Sequence, residues 1–187
     1  MESNKKYPQV ITISGKMGAG KDTLATYIKE ELEKVGSRVL ITHYADLLKY
    51  ILKTYLGWDG KKDERGRHLL QHVGTDIFRE QYDENFWCIF VGVIIYTLNE
   101  EWDCVLIPDA RFKNEIESMK AWYGSTSVQI VRPDIPDDLS EHTEHISEHA
   151  LDDYEFDLVC ENDEGLEKLR RFAREVAGRV MLEKVRG

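Results

Sequence analysis

Residues 15–23 read GKMGAGKDT, a run that could close around a chain of phosphates. It approximates G-x-x-x-x-G-K-[ST], in which glycines let successive backbone N–H groups converge on an anion. Gly15, Gly18 and Gly20 supply that freedom, with Ala19 between them, and Lys21 is placed to bridge the β- and γ-phosphates. A helix opening at the end of the loop would add about half a positive charge. Lys16 also lies in the loop and reads as a solvated side chain. Asp22 stands where the pattern calls for a hydroxyl. A carboxylate is a hard oxygen ligand suited to Mg²⁺, directly or through water. Asp22 is therefore expected to face the metal, and Thr23 to give its hydroxyl to a phosphate oxygen.

Other stretches carry reactive types at suggestive spacing. In IPDARF, Asp109 closes a short apolar run, where ligands bind at the carboxyl ends of strands. It could hold magnesium through water or accept a proton from the group being phosphorylated. Arg111 could clamp a phosphate with its planar fork. Arg67 and Gln71 are four residues apart, on one face of a helix, and Arg79 follows further along. Gly74-Thr75 interrupts that helix. Arg132 follows an apolar strand and could reach the ATP phosphates or its base. A competing pattern is His145-Ile-Ser-Glu148-His149, an H-x-x-E-H run that also occurs in zinc peptidases. It needs a helix and a converging third ligand, and apart from His142 upstream no residue stands out as one.

These residues need elements to position them. Strands are expected at 10–14, 38–43, 103–107, 126–131 and 156–160, from short β-branched or apolar runs. Helices are expected at 23–35, 45–56, 65–81, 85–98 and 164–182, from apolar residues at helical spacing. The helix at 85–98 is apolar enough to read as buried. Strands alternating with helices give an α/β class with a parallel five-stranded sheet flanked by helices. The 187 residues suit one domain, residues 1–187, with a helical insertion at about 45–100 and a charged, histidine-rich lid at about 132–153.

Composition removes several classes. A net charge of −10 argues against a protein that grips DNA, RNA or an anionic membrane. The apolar run near 86–96 is too short to cross a bilayer, which takes about 20 residues. Three scattered cysteines and no visible signal peptide point to a reduced, cytoplasmic setting. A GTPase would need an N-K-x-D type motif, and Lys113-Asn114 does not supply one. A small-molecule kinase has use for two insertions, one to hold the acceptor and one to exclude water during transfer. A zinc hydrolase at the HISEH run and a non-catalytic nucleotide-binding module remain open on these residues alone.

GKMGAGKDT, LLQHVGTDIFRE with Trp87 downstream, VLIPDARFKNE, VQIVRP, HISE and DLVCENDEGLEKL follow one another along nearly the whole chain. In that order they resemble bacteriophage-type deoxynucleoside monophosphate kinases. The resemblance implies a P-loop kinase fold, with ATP as donor, Mg²⁺ as cofactor and a deoxynucleoside monophosphate as acceptor. A homodimer is compatible with it, as is a host cytoplasm if the gene is a phage gene. It also makes G-K-D-T an ordinary form of the loop. Carried over, Gly15, Lys16, Gly18, Ala19, Gly20, Lys21, Asp22 and Thr23 would hold ATP. Arg132 would join from the lid, and Asn162 and Gly165 would lie near the adenine. Asp22, Thr23 and Asp109 would be the metal-side residues. Arg67, Gln71, Gly74, Thr75, Arg79, Trp87, Asp109 and Glu148 would line the acceptor, with Arg111 at its phosphate. The catalytic set would be Lys21, Asp109, Arg111 and Arg132. Dephospho-coenzyme A kinases and phosphomevalonate kinases share the loop type and are the nearest alternatives.

Overall fold

The computed structural model describes residues 7–133 and 149–186. Five parallel strands form one sheet: β1 (Gln9–Ser14), β2 (Val39–Ile41), β3 (Cys104–Ile107), β4 (Thr126–Val131) and β5 (Leu158–Glu161). Their spatial order is β2-β3-β1-β4-β5, so β1 is central. Val10 lies opposite Val105 on one side, and Ile13 opposite Val128 on the other. After β1 the chain goes out toward β2; after β3 it crosses β1 to reach β4. The carboxyl end of β1 therefore opens into the crevice where connections diverge, the usual ligand position in such sheets.

Helices cover both faces because the strands bury both. Ile11, Ile13 and Leu106 pack on α1 (Lys21–Glu33) and on the closing helix α6 (Leu166–Arg186). Val10, Val105 and Ile107 point the other way. They meet α2 (Ala45–Leu56), α4 (Phe86–Thr97) and α5 (Lys113–Tyr123). Between α2 and α4 run α3 (Glu64–Gln71) and a π-helical segment at 72–82. Among the described residues no helix is long and apolar enough to cross a membrane. The cysteines are buried and form no disulfide.

The expected parallel five-stranded architecture is what the chain adopts, and some local expectations change. Helix α5 was not expected from the sequence. Only 11 residues long, it is closed by Gly124 in a left-handed conformation. The single helix expected at 65–81 is an α-helix that passes into π geometry. At the change, the Gly74 carbonyl accepts the Trp87 indole N–H at 3.0 Å. A side chain drawing on a helical carbonyl disturbs the i→i−4 ladder, and π turns gather at such places. Helix α4 is buried on one face only, through Trp87, Val91 and Ile95, and exposes Ile89, Val93 and Tyr96. Val35, Leu56 and Leu166, apolar residues at helical spacing, are exposed. Each lies at or just past a helix end, where the stripe runs off the sheet.

Candidate active site

The phosphate loop joins β1 to α1. Gly15, Gly18 and Gly20 all have positive φ. At Gly15 a Cβ would sit 2.5 Å from the Ile130 carbonyl oxygen, so the loop passes directly against β4. Lys21 closes the loop on itself: its Nζ donates to the Gly15 carbonyl at 2.5 Å and the Lys16 carbonyl at 3.0 Å. Arg132 Nη1 donates to the Gly18 carbonyl at 3.1 Å. Beneath the loop, buried Asn162 donates from Nδ2 to the Ala19 carbonyl at 3.2 Å. Its own N–H bonds the Val131 carbonyl at 2.7 Å, tying β4, β5 and the loop together. Gly165, at φ 68, turns the chain into α6.

Asp22 leads the first turn of α1, with its side chain 83% exposed. Its carboxylate stands 3.3 Å from His43 Nε2. His43 in turn faces Asp46, Nδ1 to Oδ2 at 3.2 Å, and donates its backbone N–H to the same oxygen at 2.9 Å. The bond to Asp46 is the main reason His43 is held above the ordinary histidine value, with Asp109 and Asp22 adding to it against the opposing effect of burial. Burial acts against the Asp46 carboxylate, yet its bonds to His43 hold it down at about 2.

Asp109 sits two residues beyond β3. Its oxygens accept the backbone N–H groups of Tyr44 at 2.9 Å and Ala45 at 3.1 Å, at the start of α2. Burial raises its pKa, with His43 and these two bonds pulling the other way. A carboxylate at a helix N-terminus meets unpaired N–H groups and the positive end of the dipole. Asp109 thus fastens the start of α2 to the end of the central sheet.

Two cavities meet at this edge. One, of about 250 Å³, runs from Ser14, Gly15 and Lys16 to Arg111, Gln129 and Arg132. The other, of about 140 Å³, is lined by Tyr44, Thr75, Arg79, Trp87, Asp109 and Glu115, among others. Arg111 lines both. Glu115 is buried, at 3% exposure, and is paired with Arg79. Burial pushes its carboxyl up to about 7, against the pull of Arg79. The arrangement places cationic side chains on both sides of a junction between a phosphate loop and a half-enclosed pocket. That geometry suits transfer of a phosphoryl group between two bound anions.

The profile of the deoxynucleotide monophosphate kinase family matches residues 58–172. The chain belongs to that family. No curated protein sequence matches it. Several solved structures with a similar fold are described as kinases. One is a Mycobacterium tuberculosis APS kinase in complex with AMPPNP and APS, 14% identical over 94% of this chain and 98% of that one, with TM-score 0.54. Another is a sugar kinase from Janibacter sp. HTCC2649, 13% identical over 92% and 98%, with TM-score 0.55. A third is a gluconokinase from Sinorhizobium meliloti 1021, 15% identical over 94% of each chain, with TM-score 0.50. At such identities the likeness is one of fold, the P-loop kinase fold. The family match adds that this chain is a phosphotransferase.

The fold brings most of the candidate residues of this kinase to one edge. Gly15, Lys16, Arg111 and Arg132 line the phosphate-loop cavity. Gly74, Thr75, Arg79, Trp87, Asp109 and Arg111 line the smaller pocket. Asp22 and Lys21 open α1. Thr23, also in the first turn, is half-buried. Two candidates stand apart from the pocket. Gln71 is exposed, and Arg67 donates from Nε to the Lys62 carbonyl at 2.9 Å. The π turn accounts for the change of face. A helix bonded i→i+5 takes more residues per turn, so Gly74 and Arg79 align while the α-helical stripe from Arg67 and Gln71 diverges. Glu148 and most of the expected lid lie outside the described residues. So do His142 and His145 of the zinc pattern; His149, which is described, pairs with Asp152 at 2.9 Å. Among the described residues no three potential ligands cluster for a metal. Sequence reasoning missed His43, Asp46 and Glu115. Glu115 had a local signal, three residues after the N-cap Phe112 of α5, but that helix itself was not recognised.

Proposed function

We propose that this kinase transfers the γ-phosphate of ATP to a deoxynucleoside 5′-monophosphate, giving the diphosphate. The observation that carries the reading is Arg111, which lines both the cavity under the phosphate loop and the smaller pocket. A side chain in that position can hold the acceptor phosphate while facing the transferring group. Lys21 and the loop N–H groups would bind the ATP phosphates, with Arg132 neutralising charge from the lid side. Arg79 and Arg111 would grip the acceptor phosphate, and Trp87 and Thr75 would form the pocket around the nucleoside. Catalysis in this arrangement is positioning and charge neutralisation.

The residues present suit Mg²⁺. Asp22 offers an exposed oxygen ligand at the mouth of the loop, the hard donor that the ion prefers. Bound there, the ion would neutralise charge on the β- and γ-phosphates. Thr23 would supply a hydroxyl nearby. Both oxygens of Asp109 already accept backbone N–H groups, so any metal role for it would run through water.

A coupled assay with ATP, Mg²⁺ and each deoxy- and ribonucleoside monophosphate tests the reading. At least one deoxynucleoside monophosphate should be converted. Turnover of dephospho-coenzyme A or phosphomevalonate, with none of any nucleotide, would overturn the acceptor assignment.

A further inference from the structure

Glu115 is an unusual residue to bury. A carboxylate at 3% exposure loses nearly all its hydration, which is costly unless every lone pair is engaged. Here both oxygens are engaged, and by different elements. Oε2 accepts the backbone N–H of Arg111 at 2.6 Å and of Phe112 at 3.0 Å. Oε1 accepts from Nη2 of Arg79, which belongs to the π-helical segment 36 residues earlier. A helix-capping glutamate at this position needs only the first kind of bond. The second reaches out of α5 to one of the two arginines that line the acceptor pocket.

Arg79 is held from other directions as well. Its guanidinium carbon lies 4.1 Å from the centre of the Phe112 ring, and its Nη1 donates to the Glu84 carbonyl at 3.1 Å. A guanidinium stacked on an aromatic face and bonded at two edges has little rotational freedom left. Tyr44 adds to the same corner, its hydroxyl donating to the Glu115 carbonyl at 2.7 Å. One carboxylate thus fixes the side chain of Arg79 and the backbone that carries Arg111. Asp109, also near, carries charge of the same sign and so adds to the rise of the Glu115 pKa.

We propose that Glu115 is a positioning residue for phosphate recognition, setting the spacing of Arg79 and Arg111 so that together they fit the dianionic phosphate of the acceptor. The inference rests on the reading that the small pocket takes a nucleoside monophosphate. A preset pair of cations loses little freedom on binding, so the gain appears as acceptor affinity. The charge of Glu115 also matters: it partly offsets that of Arg79, leaving the site cationic enough for a phosphate without demanding a permanent counter-ion.

The test is Glu115→Gln, which keeps size and can still accept from the α5 backbone, but turns a neutral amide toward Arg79. Three readouts are needed: thermal unfolding, steady-state kinetics, and equilibrium binding of the best-turned-over deoxynucleoside monophosphate and of its unphosphorylated deoxynucleoside. The expected result is a KM for the monophosphate raised about tenfold or more, with the KM for ATP within about twofold of wild type. Binding should weaken for the monophosphate and stay level for the nucleoside. Phe112→Leu removes only the stacking surface and should shift the same parameters in the same direction, more weakly; it serves if Glu115→Gln does not fold. Equal weakening of monophosphate and nucleoside, or a lower Tm with both KM values unchanged, would reduce Glu115 to a structural cap and overturn the proposal. Absence of any nucleotide turnover by the wild type is a separate outcome, which would overturn the acceptor reading itself.

Discussion

Replacing Asp22 with alanine separates two roles that the carboxylate could have. As a helix-end charge, it interacts with the dipole of α1, worth about 0.3 to 1 kcal/mol at an exposed first turn. Among the described residues its side chain pairs with His43 at 3.3 Å, and an exposed pair of this kind adds about 0 to 1 kcal/mol. With the side chain 83% exposed, no packing is lost. The structural loss should therefore be about 1 kcal/mol, or a Tm lower by about 2 to 4 °C in a chain of this size. As a metal-side ligand, the same carboxylate acts on a dication. At about 4 Å and full water screening, one negative charge attracts two positive ones by about 2 kcal/mol, which is roughly 30-fold in apparent Mg²⁺ affinity. Without the metal, the carboxylate would repel the β- and γ-phosphates. Asp22→Ala should thus lower kcat, move the Mg²⁺ titration of activity upward by about an order of magnitude or more, and leave metal-free ATP binding equal or tighter. Asp22→Ser should restore part of the activity, since a hydroxyl is a weaker ligand of the same hardness. The assay is initial rate against free Mg²⁺ at saturating nucleotides, beside a calorimetric titration of ATP in chelator. A Tm lowered by a few degrees with an unmoved Mg²⁺ titration would refute the metal role and leave only the helix charge.

Three further perturbations test the rest of the site. Arg111→Lys keeps the charge and loses the planar fork, so kcat/KM for the monophosphate should fall by about a hundredfold or more while ATP affinity stays nearly level; equal weakening of both substrates would move Arg111 out of the acceptor pocket. Gly15→Ala places a Cβ 2.5 Å from the Ile130 carbonyl at φ 148, so thermal unfolding should show a loss of about 3 kcal/mol or more, with ATP binding impaired, and an unchanged Tm would show that the loop does not lie against β4 as described. His43 should titrate above the ordinary value in an NMR pH series, and Asp46→Asn should bring it down, because the bond to Asp46 is the largest cause of the shift. The sign follows: the stability that His43 contributes is complete below about pH 6.5 and is lost as pH rises through its folded pKa, while that of Asp46 is lost only as pH falls toward about 2. An unshifted His43 would mean that the cluster does not persist in solution.

The phosphate loop was legible from the sequence because its chemistry is local. Three glycines, Lys21 and a helix start within nine residues fix the path of the backbone and the place of the charge. The strands were legible for a similar reason, since a parallel sheet covered on both faces needs short apolar runs and little else. Asp109 and Arg111 could be marked because they follow such a run. Other features depend on contacts that join distant parts of the chain. Glu115 meets Arg79 across 36 positions, and Asp109 meets Tyr44 across 65, separations at which spacing carries no signal. The π turn is of the same kind: it forms where Trp87 draws on the Gly74 carbonyl, and it decides that Arg79 rather than Gln71 faces the pocket. The exposed face of α4 could not be foreseen either, because an apolar composition says how much can be buried, not which side the sheet will cover. The sequence by itself determined the binding loop, the strand pattern and the class of chemistry, all set by backbone conformation over a few residues. Only the tertiary structure decided which arginines stand together, because Glu115, which bonds the nearby Arg111 backbone, reaches Arg79 only once segments 36 positions apart are packed against one another.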